Sequence, residues 1–242
     1  MKSIVFSSRT TKEIIRDPLT LFFGLLFPIF LLVLLTLMNQ NIPGDIFDIN
    51  ELTPGIAVFG LSFMALFAGQ IIAKDRASEL LTRLFTTPMK SSDFIIGYTL
   101  PLIPMSILQT IFCFIAALFL GMEIKWTIFP TILSIFPIGI VFISTGLLLG
   151  SLLSEKAVGG ILGALMTNVT ALFSGAWFSV DLVGGSFEKI AHVLPFYHAV
   201  EMSRATLRGE YAGVFPHIWW VLGYAIILSG LAIFVFKKKM KA

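Results

Sequence analysis

A chain of 242 residues that is 57% hydrophobic and only 13% charged, with a mean hydropathy of +0.93, is excluded from the ordinary soluble class, in which charged residues approach about a quarter. The formal charge of +3 does not point to nucleic acid, because no polar segment is long enough to fold into a soluble domain with a basic face. Cys113, the one cysteine, sits in an apolar run, which leaves neither a disulfide framework nor a cysteine-based metal site.

The chain therefore reads as a polytopic membrane protein, and its elements follow in order. Residues 1–18 carry Lys2, Arg9, Lys12 and Arg16. On a helical wheel the last three cluster opposite Thr11, Ile14 and Ile15, which predicts an interfacial helix held to the inner leaflet by its basic face. Residues 19–38 form a first span, weakened at Pro28; the run is long enough to cross a core of about 30 Å and lacks the small-residue cleavage site of a signal peptide. A polar loop over 39–52 holds Asp45, Asp48 and Glu51 but no Lys or Arg, and 53–73 is the second span.

Residues 74–93, KDRASELLTRLFTTPMKSSD, are the one long polar insertion in the first two-thirds of the chain. At about 100° of turn per residue, Leu80, Leu81, Leu84 and Phe85 share one face, while Asp75, Arg76, Glu79 and Arg83 share the other. Thr86, Thr87 and Pro88 end the helix, since proline disfavours helix in the residue before it. Such an element, tethered at both ends to spans, lies on the membrane and shows its charges to something soluble.

Spans over 94–120, interrupted by Pro101 and Pro104, and over 127–152 are joined by a tight turn at 121–126. A brief polar loop at Ser154, Glu155 and Lys156 leads to a fifth span over 157–180. Residues 181–216 are too polar for a span and long for a plain turn. They read as two short helices, 187–194 and 197–207, broken at Pro195: a re-entrant outer pair that either gates a path or only caps the fold. The sixth span, 217–236, is closed by Lys237, Lys238, Lys239 and Lys241.

Placing both termini on one side leaves only Lys125, Lys189, Arg204 and Arg208, of the 17 Lys and Arg residues, on the other. The positive-inside rule then puts both termini and the 74–93 stretch in the cytoplasm. Trp126, Trp177, Trp219 and Trp220 fall near the outer ends of their spans, as an aromatic belt does.

Within these bounds no span holds an Asp, Glu, Lys or Arg, which argues against a proton-coupled or ion-coupled pump. Gln109 and Asn168 remain inside, a residue class that more often binds neighbouring helices than substrate. If a path crosses the bundle, Gln109 and Asn168, with Pro195 and Tyr197 at the break of the outer segment, are the residues it would meet. Gly146 and Gly150, like Gly159 and Gly163, have the spacing that lets helix backbones approach, within one subunit or between two. His192 and His198 flank Pro195 without further metal ligands or an activated nucleophile and read as interfacial histidines. No Gly-Lys dipeptide occurs, so the chain has no Walker A loop, and a nucleotide would be held by another chain.

Three features together resemble the membrane subunits of ABC-2 type transporters. They are six spans preceded by a basic interfacial helix, the run Glu79-Leu80-Leu81-Thr82-Arg83-Leu84-Phe85-Thr86-Thr87-Pro88 leading to Gly97-Tyr98, and the proline-led segment 195–209 before the last span. The resemblance implies one all-α transmembrane domain over 1–242, without a catalytic site or bound cofactor. It implies that residues 75–87 are a coupling helix docking into a cytoplasmic ABC ATPase that holds ATP and Mg, with a smaller contact at 154–156. The ATPase-coupling residues would then be Asp75, Arg76, Glu79, Arg83, Thr86, Glu155 and Lys156. It also implies a second permease copy, identical or paralogous, in a bacterial or archaeal cell membrane.

The leading expectation is an exporter of hydrophobic or amphipathic compounds such as drugs, peptide antibiotics or lipid-like molecules. Polysaccharide or teichoic-acid export within the same family is the alternative. Two readings from other classes stand beside it. An intramembrane enzyme would need clustered carboxylates with a metal, or a Ser or Cys with a His, and neither is found. A non-transporting scaffold or sensor subunit would dock a regulator on the same charged helix.

Overall fold

The computed structural model describes residues 2–39, 47–86 and 89–239, and for Lys2, Thr82 and Phe85 the backbone alone. Asp45, Thr87, Pro88 and Lys241, all used in the sequence reading, lie outside the described residues. In chain order the helices are α1 (Lys2–Arg16), α2 (Pro18–Asn39), α3 (Ile49–Ala77), α4 (Leu80–Phe85), α5 (Ser91–Phe119), α6 (Ile128–Leu152), α7 (Glu155–Phe173), α8 (Gly185–Val193), α9 (Pro195–Arg208) and α10 (Tyr211–Lys239). The protein is all-α, and α2, α3, α5, α6, α7 and α10 are the six helices long and apolar enough to cross a membrane.

Local chemistry sets the boundaries. The Asp17 carboxylate accepts from Leu19 N–H at 3.1 Å and from the Thr20 hydroxyl at 2.6 Å, with Pro18 at the first helical position, so α2 begins where a cap and a preset φ coincide. The Asp48 carboxylate accepts from Asn50 N–H at 2.9 Å to start α3, and Ser154 caps α7. The irregularity of the first span lies over Phe22–Leu26, just before Pro28. There Phe27 N–H reaches back to Phe22 O, a five-residue step, and Pro28 has no N–H to continue the ladder.

Several elements differ from the expected apolar runs. The sixth span begins at Tyr211 rather than 217, with Pro216 inside the helix and the preceding polar segment correspondingly shorter. Pro101 and Pro104 lie inside an unbroken α5, and the second and fifth spans have other bounds. The second span extends to Ile49–Ala77, 29 residues, or roughly 43 Å at 1.5 Å per residue, against a core of about 30 Å. Its ends therefore carry Glu51, Lys74, Asp75 and Arg76, and the expectation of charge-free spans fails at these ends. The fifth span stops at Phe173 rather than at 180. Gly175 turns the chain with φ +72, and the carbonyls of Gly175 and Ala176 face the Arg204 guanidinium instead of continuing the helix.

Around α3 the bundle is organised. Its apolar window is 83% buried, against 22%, 22% and 17% for α2, α7 and α10. Close approach to α6 depends on glycine: a Cβ on Gly146 would overlap the Ala65 carbonyl oxygen, and one on Gly150 would overlap the Gly69 carbonyl oxygen. The Gly146/Gly150 pair thus packs within the chain. Gly159 and Gly163 differ, since their nearest contacts are Gln70 Nε2 at 4.0 Å and a Leu66 methyl at 3.5 Å. Helices α8 and α9 meet at the Leu194–Pro195 break close to the expected bounds, and α9 ends at Gly209 with φ +79.

Gly150→Ala is expected to destabilise the detergent-solubilised protein by about 1–3 kcal/mol, the usual cost of overpacking, while Gly159→Ala leaves its thermal unfolding unchanged. Equal midpoints for both variants would contradict the backbone contact between α3 and α6.

Candidate functional site

Asp75 is the buried carboxylate of the molecule's N-terminal end, 1% exposed. Arg9 of α1 grips it with two nitrogens, Nη1 to Oδ2 at 2.6 Å and Nη2 to Oδ1 at 2.7 Å, the bidentate geometry that a planar guanidinium favours. From α5 the Tyr98 hydroxyl donates to Oδ2 at 2.7 Å. Hydrogen bonding to Asp75 first, and then its charge, raises the Arg9 pKa against the opposing effect of burial. Glu13 extends the cluster, accepting from Arg9 Nη2 at 3.0 Å and from Lys74 Nζ at 2.9 Å.

Packing holds the same joint. Phe6 sits edge-on to Phe94 and Tyr98 at 5.6 Å and 4.8 Å between ring centroids. A Cβ on Gly97 would overlap the Phe6 ring. The Gly97-Tyr98 pair is thereby explained: glycine admits the ring from α1, and tyrosine supplies the hydroxyl for Asp75. Ser3 adds a hydrogen bond to Asp93 Oδ1 at 2.9 Å.

These contacts correct the wheel drawn over 74–93. Asp75 and Arg76 belong to the end of α3, not to the exposed face of a separate helix, and both point inward. The Arg76 guanidinium donates to the Gly150 and Leu153 carbonyls at 2.9 Å and 3.0 Å, closing the C-terminal end of α6. The helix breaks at Ser78 and Glu79, and Glu79 adopts φ +57.

Beyond the break, α4 is amphipathic as expected. Leu81 is 2% exposed and Leu84 packs on the core, while Glu79, Arg83 and Thr86 are exposed. The Thr86 hydroxyl donates to the Arg83 carbonyl at 2.7 Å, finishing the last turn. Glu155 and Lys156, in the first turn of α7, are exposed. A cleft of about 1090 Å³ opens beside them, lined by Arg9, Lys12 and Arg16 of α1, by Gln70 and Lys74 of α3 and by Glu155.

The residues expected along a path are dispersed. Gln109 is fully buried against α3, where its Nε2 donates to the Ala57 carbonyl at 3.4 Å and fills the space left by Gly60. Asn168 is exposed on α7 and donates to its own helix at Ala164 O. Pro195 is buried at the start of α9, and Tyr197 is half-buried with its ring stacked on His192 at 4.3 Å. Gln109 thus packs helix against helix, whereas the hydrogen bond of Asn168 stays within α7.

At the opposite end, the sequence reading missed Arg204. Its side chain is 11% exposed and pairs with Glu51 at 3.1 Å and Glu201 at 2.9 Å, while also donating to the Gly175 carbonyl at 3.0 Å. Arg208 joins through Glu51 at 2.8 Å. This network ties α9 to the first turn of α3. His217 was also missed; its Nδ1 lies 2.8 Å from His198 Nδ1, and His198 Nε2 lies 2.8 Å from the His192 carbonyl. A carbonyl only accepts, so neutral His198 carries its proton on Nε2 and accepts from His217 at Nδ1. Burial lowers the His198 pKa.

Residues 3–207 match the family model described as ABC-2 type transporter. Two curated relatives are each described as "Putative transport permease ycf38". The protein from Porphyra purpurea is 36% identical over 115 residues, 45% of this chain and 40% of that protein. The protein from Pyropia yezoensis is 27% identical over 208 residues, 81% of this chain and 70% of that protein. Both organisms are red algae, which lends no support to the expectation of a bacterial or archaeal membrane. No solved structure matches the chain.

Asp75→Asn keeps the shape and removes the charge. It is expected to cost about 2–3 kcal/mol, less than the roughly 3–5 kcal/mol of a fully buried pair because the Arg9 side chain is 39% exposed. Tyr98→Phe loses one charge-assisted hydrogen bond, about 1.5 kcal/mol. Thermal unfolding in detergent measures both, and two unchanged midpoints would show that the cluster does not hold the joint.

Proposed function

The chain belongs to the ABC-2 type transporter family, and from that premise we propose that it is the membrane subunit of an ATP-driven exporter, coupled to a separate soluble ATPase through α4. The observation that carries this reading is the split character of α4. Leu81 and Leu84 bed into the bundle while Glu79, Arg83 and Thr86 stay exposed beside it. An exposed charged face on a short helix between two spans suits a cleft on a soluble partner. ATP and Mg belong to that partner, since these 242 residues hold no Gly-Lys dipeptide and hence no Walker A loop.

The lever is narrower than a helix over 75–87. Asp75 and Arg76 lie on the bundle side of the break at Ser78 and Glu79, and Glu79, Arg83 and Thr86 lie on the partner side. Force applied to α4 would pass to the end of α3, on which α4 packs and which the Arg9–Asp75–Tyr98 cluster joins to α1 and α5. Glu155 and Lys156, exposed at the start of α7, offer a second contact with the same partner.

The distribution of Lys and Arg supports an orientation with this end and both termini in the cytoplasm, in a cell membrane, with the lipid itself covering the apolar outer faces. A second permease copy would complete the passage. The apolar surface of α2 and α7, whose windows are each only 22% buried, has the character of a face that lipid or another subunit covers. The substrate is hydrophobic or amphipathic, a drug, peptide antibiotic or lipid-like compound, because charges sit at the ends of the spans rather than at mid-depth.

Pull-down of soluble ATPases by the detergent-solubilised protein tests the docking surface. Wild type is expected to retain an ABC-type ATPase, and Glu79→Lys with Arg83→Glu to lose at least about tenfold of it, the equivalent of 1.4 kcal/mol. Retention by the double variant at the wild-type level would remove α4 from the interface, and no ATPase with either protein would favour a scaffold or sensor role.

A further inference from the structure

At the end of the bundle that holds Arg204, a second cluster of titratable groups belongs neither to that network nor to the docking surface. Asp181 stands in the 3-10 turn Val180–Leu182, and Glu188 and His192 stand on α8. The spacing of Glu188 and His192 is one helical turn, so both project from one face. Gly184 and Gly185, at φ +65 and +62, let the chain double back and carry Asp181 to that same face. One ligand atom from each of the three residues lies within 4.8 Å of the others.

We propose that Asp181, Glu188 and His192 form a divalent metal site of the Zn2+ class. Zn–N and Zn–O bonds of about 2.0–2.2 Å in tetrahedral geometry place ligand atoms roughly 3.4 Å apart, so side-chain rotations that bring the atoms at most about 1.4 Å closer together close the present spread. A fourth position remains for water.

Four observations point to a cation. Among the described residues neither Asp181 nor Glu188 takes part in an ion pair with a Lys or Arg, although two neighbouring carboxylates repel and a divalent ion offsets that repulsion. The Ser179 hydroxyl, 3.3 Å from Asp181 Oδ2, is a hydrogen-bond donor that helps orient the carboxylate. The His192 ring lies flat on Tyr197 at 4.3 Å and 21°, which sets the plane of the imidazole, and the His192 backbone carbonyl accepts from His198 at 2.8 Å, which anchors the residue's backbone. The donor set, one imidazole nitrogen with two carboxylates, suits Zn2+ and discriminates against Mg2+ and Ca2+, which prefer oxygen alone.

A bound ion would staple the turn after α7 to α8, and through Tyr197 and His198 would brace the start of α9. The inference does not depend on the export reading.

Titration of the full-length protein in detergent with ZnCl2, in metal-free buffer, tests it. Wild type is expected to bind one Zn2+ per chain with excess MgCl2 present, and His192→Ala and Glu188→Gln to weaken binding at least about tenfold. Glu210→Gln, an exposed carboxylate at the same end, is expected to bind as wild type does. Metal-free melting curves matching wild type establish that the variants fold. Should a variant melt early, Co2+ absorption of wild type decides: a four-coordinate spectrum supports the site, and a six-coordinate aquo-like spectrum overturns it. Unchanged affinity in His192→Ala, an equal loss in Glu210→Gln, or displacement of Zn2+ by Mg2+ would each overturn the proposal.

Discussion

A single carboxylate with no access to water sets the terms for one whole end of this molecule. Asp75 is buried at the edge of a membrane helix, where an uncompensated charge costs several kcal/mol. Its charge is compatible with the fold because Arg9 meets both oxygens and Tyr98 meets one of them again. The requirement runs in both directions. Arg9 must come from α1, so α1 lies against the bundle; Tyr98 must come from α5, so the neighbouring Gly97 has no side chain and the Phe6 ring fills the space. Three elements distant in sequence are fixed to one another by one ionised group.

The rest of the bundle is built on small surfaces rather than on charges. Between apolar helices in lipid there is no hydrophobic drive to associate, so close backbone contact and dispersion carry the packing. Gly69, Gly146 and Gly150 allow α3 and α6 to touch carbonyl to Cα. With α3 enclosed and α2, α7 and α10 largely exposed, α3 is the helix through which a displacement would reach the most neighbours. The left-handed turn at Glu79 separates that enclosed helix from α4.

The six spans were legible because apolar runs of membrane length have few other uses, and the pair α8 and α9 because Pro195 sits at the first helical position after an extended Leu194. Pro54, Pro101, Pro104, Pro137 and Pro216 lie inside continuous helices, so proline alone is no guide to a break. The role of Asp75 was not legible. A polar position on a helical wheel looks the same whether water or a guanidinium faces it, and its partner lies 66 residues away. Arg204 poses the same difficulty, with a contact to Glu51 across 153 residues. A signal was nevertheless present: Asp75 and Arg76 continue the second apolar run without a breaker, and the helix has no physical reason to stop before Ser78. His217 was hidden by its place at the head of an apolar run; its proximity to His198 depends on how α9 folds back on α10. Asp181, Glu188 and His192 were obscured in the same way, since the turn that gathers them is set by two left-handed glycines rather than by spacing.

The central claim is that the exposed face of α4, at the end that holds Asp75, is where a soluble ATPase takes hold. A photo-crosslinking amino acid placed at Arg83, and separately at Glu210 at the opposite end, tests it most directly in native membranes. The account predicts an adduct with an ATP-binding protein from position 83 and none from position 210. An adduct from position 210 alone, or from neither position, would contradict it.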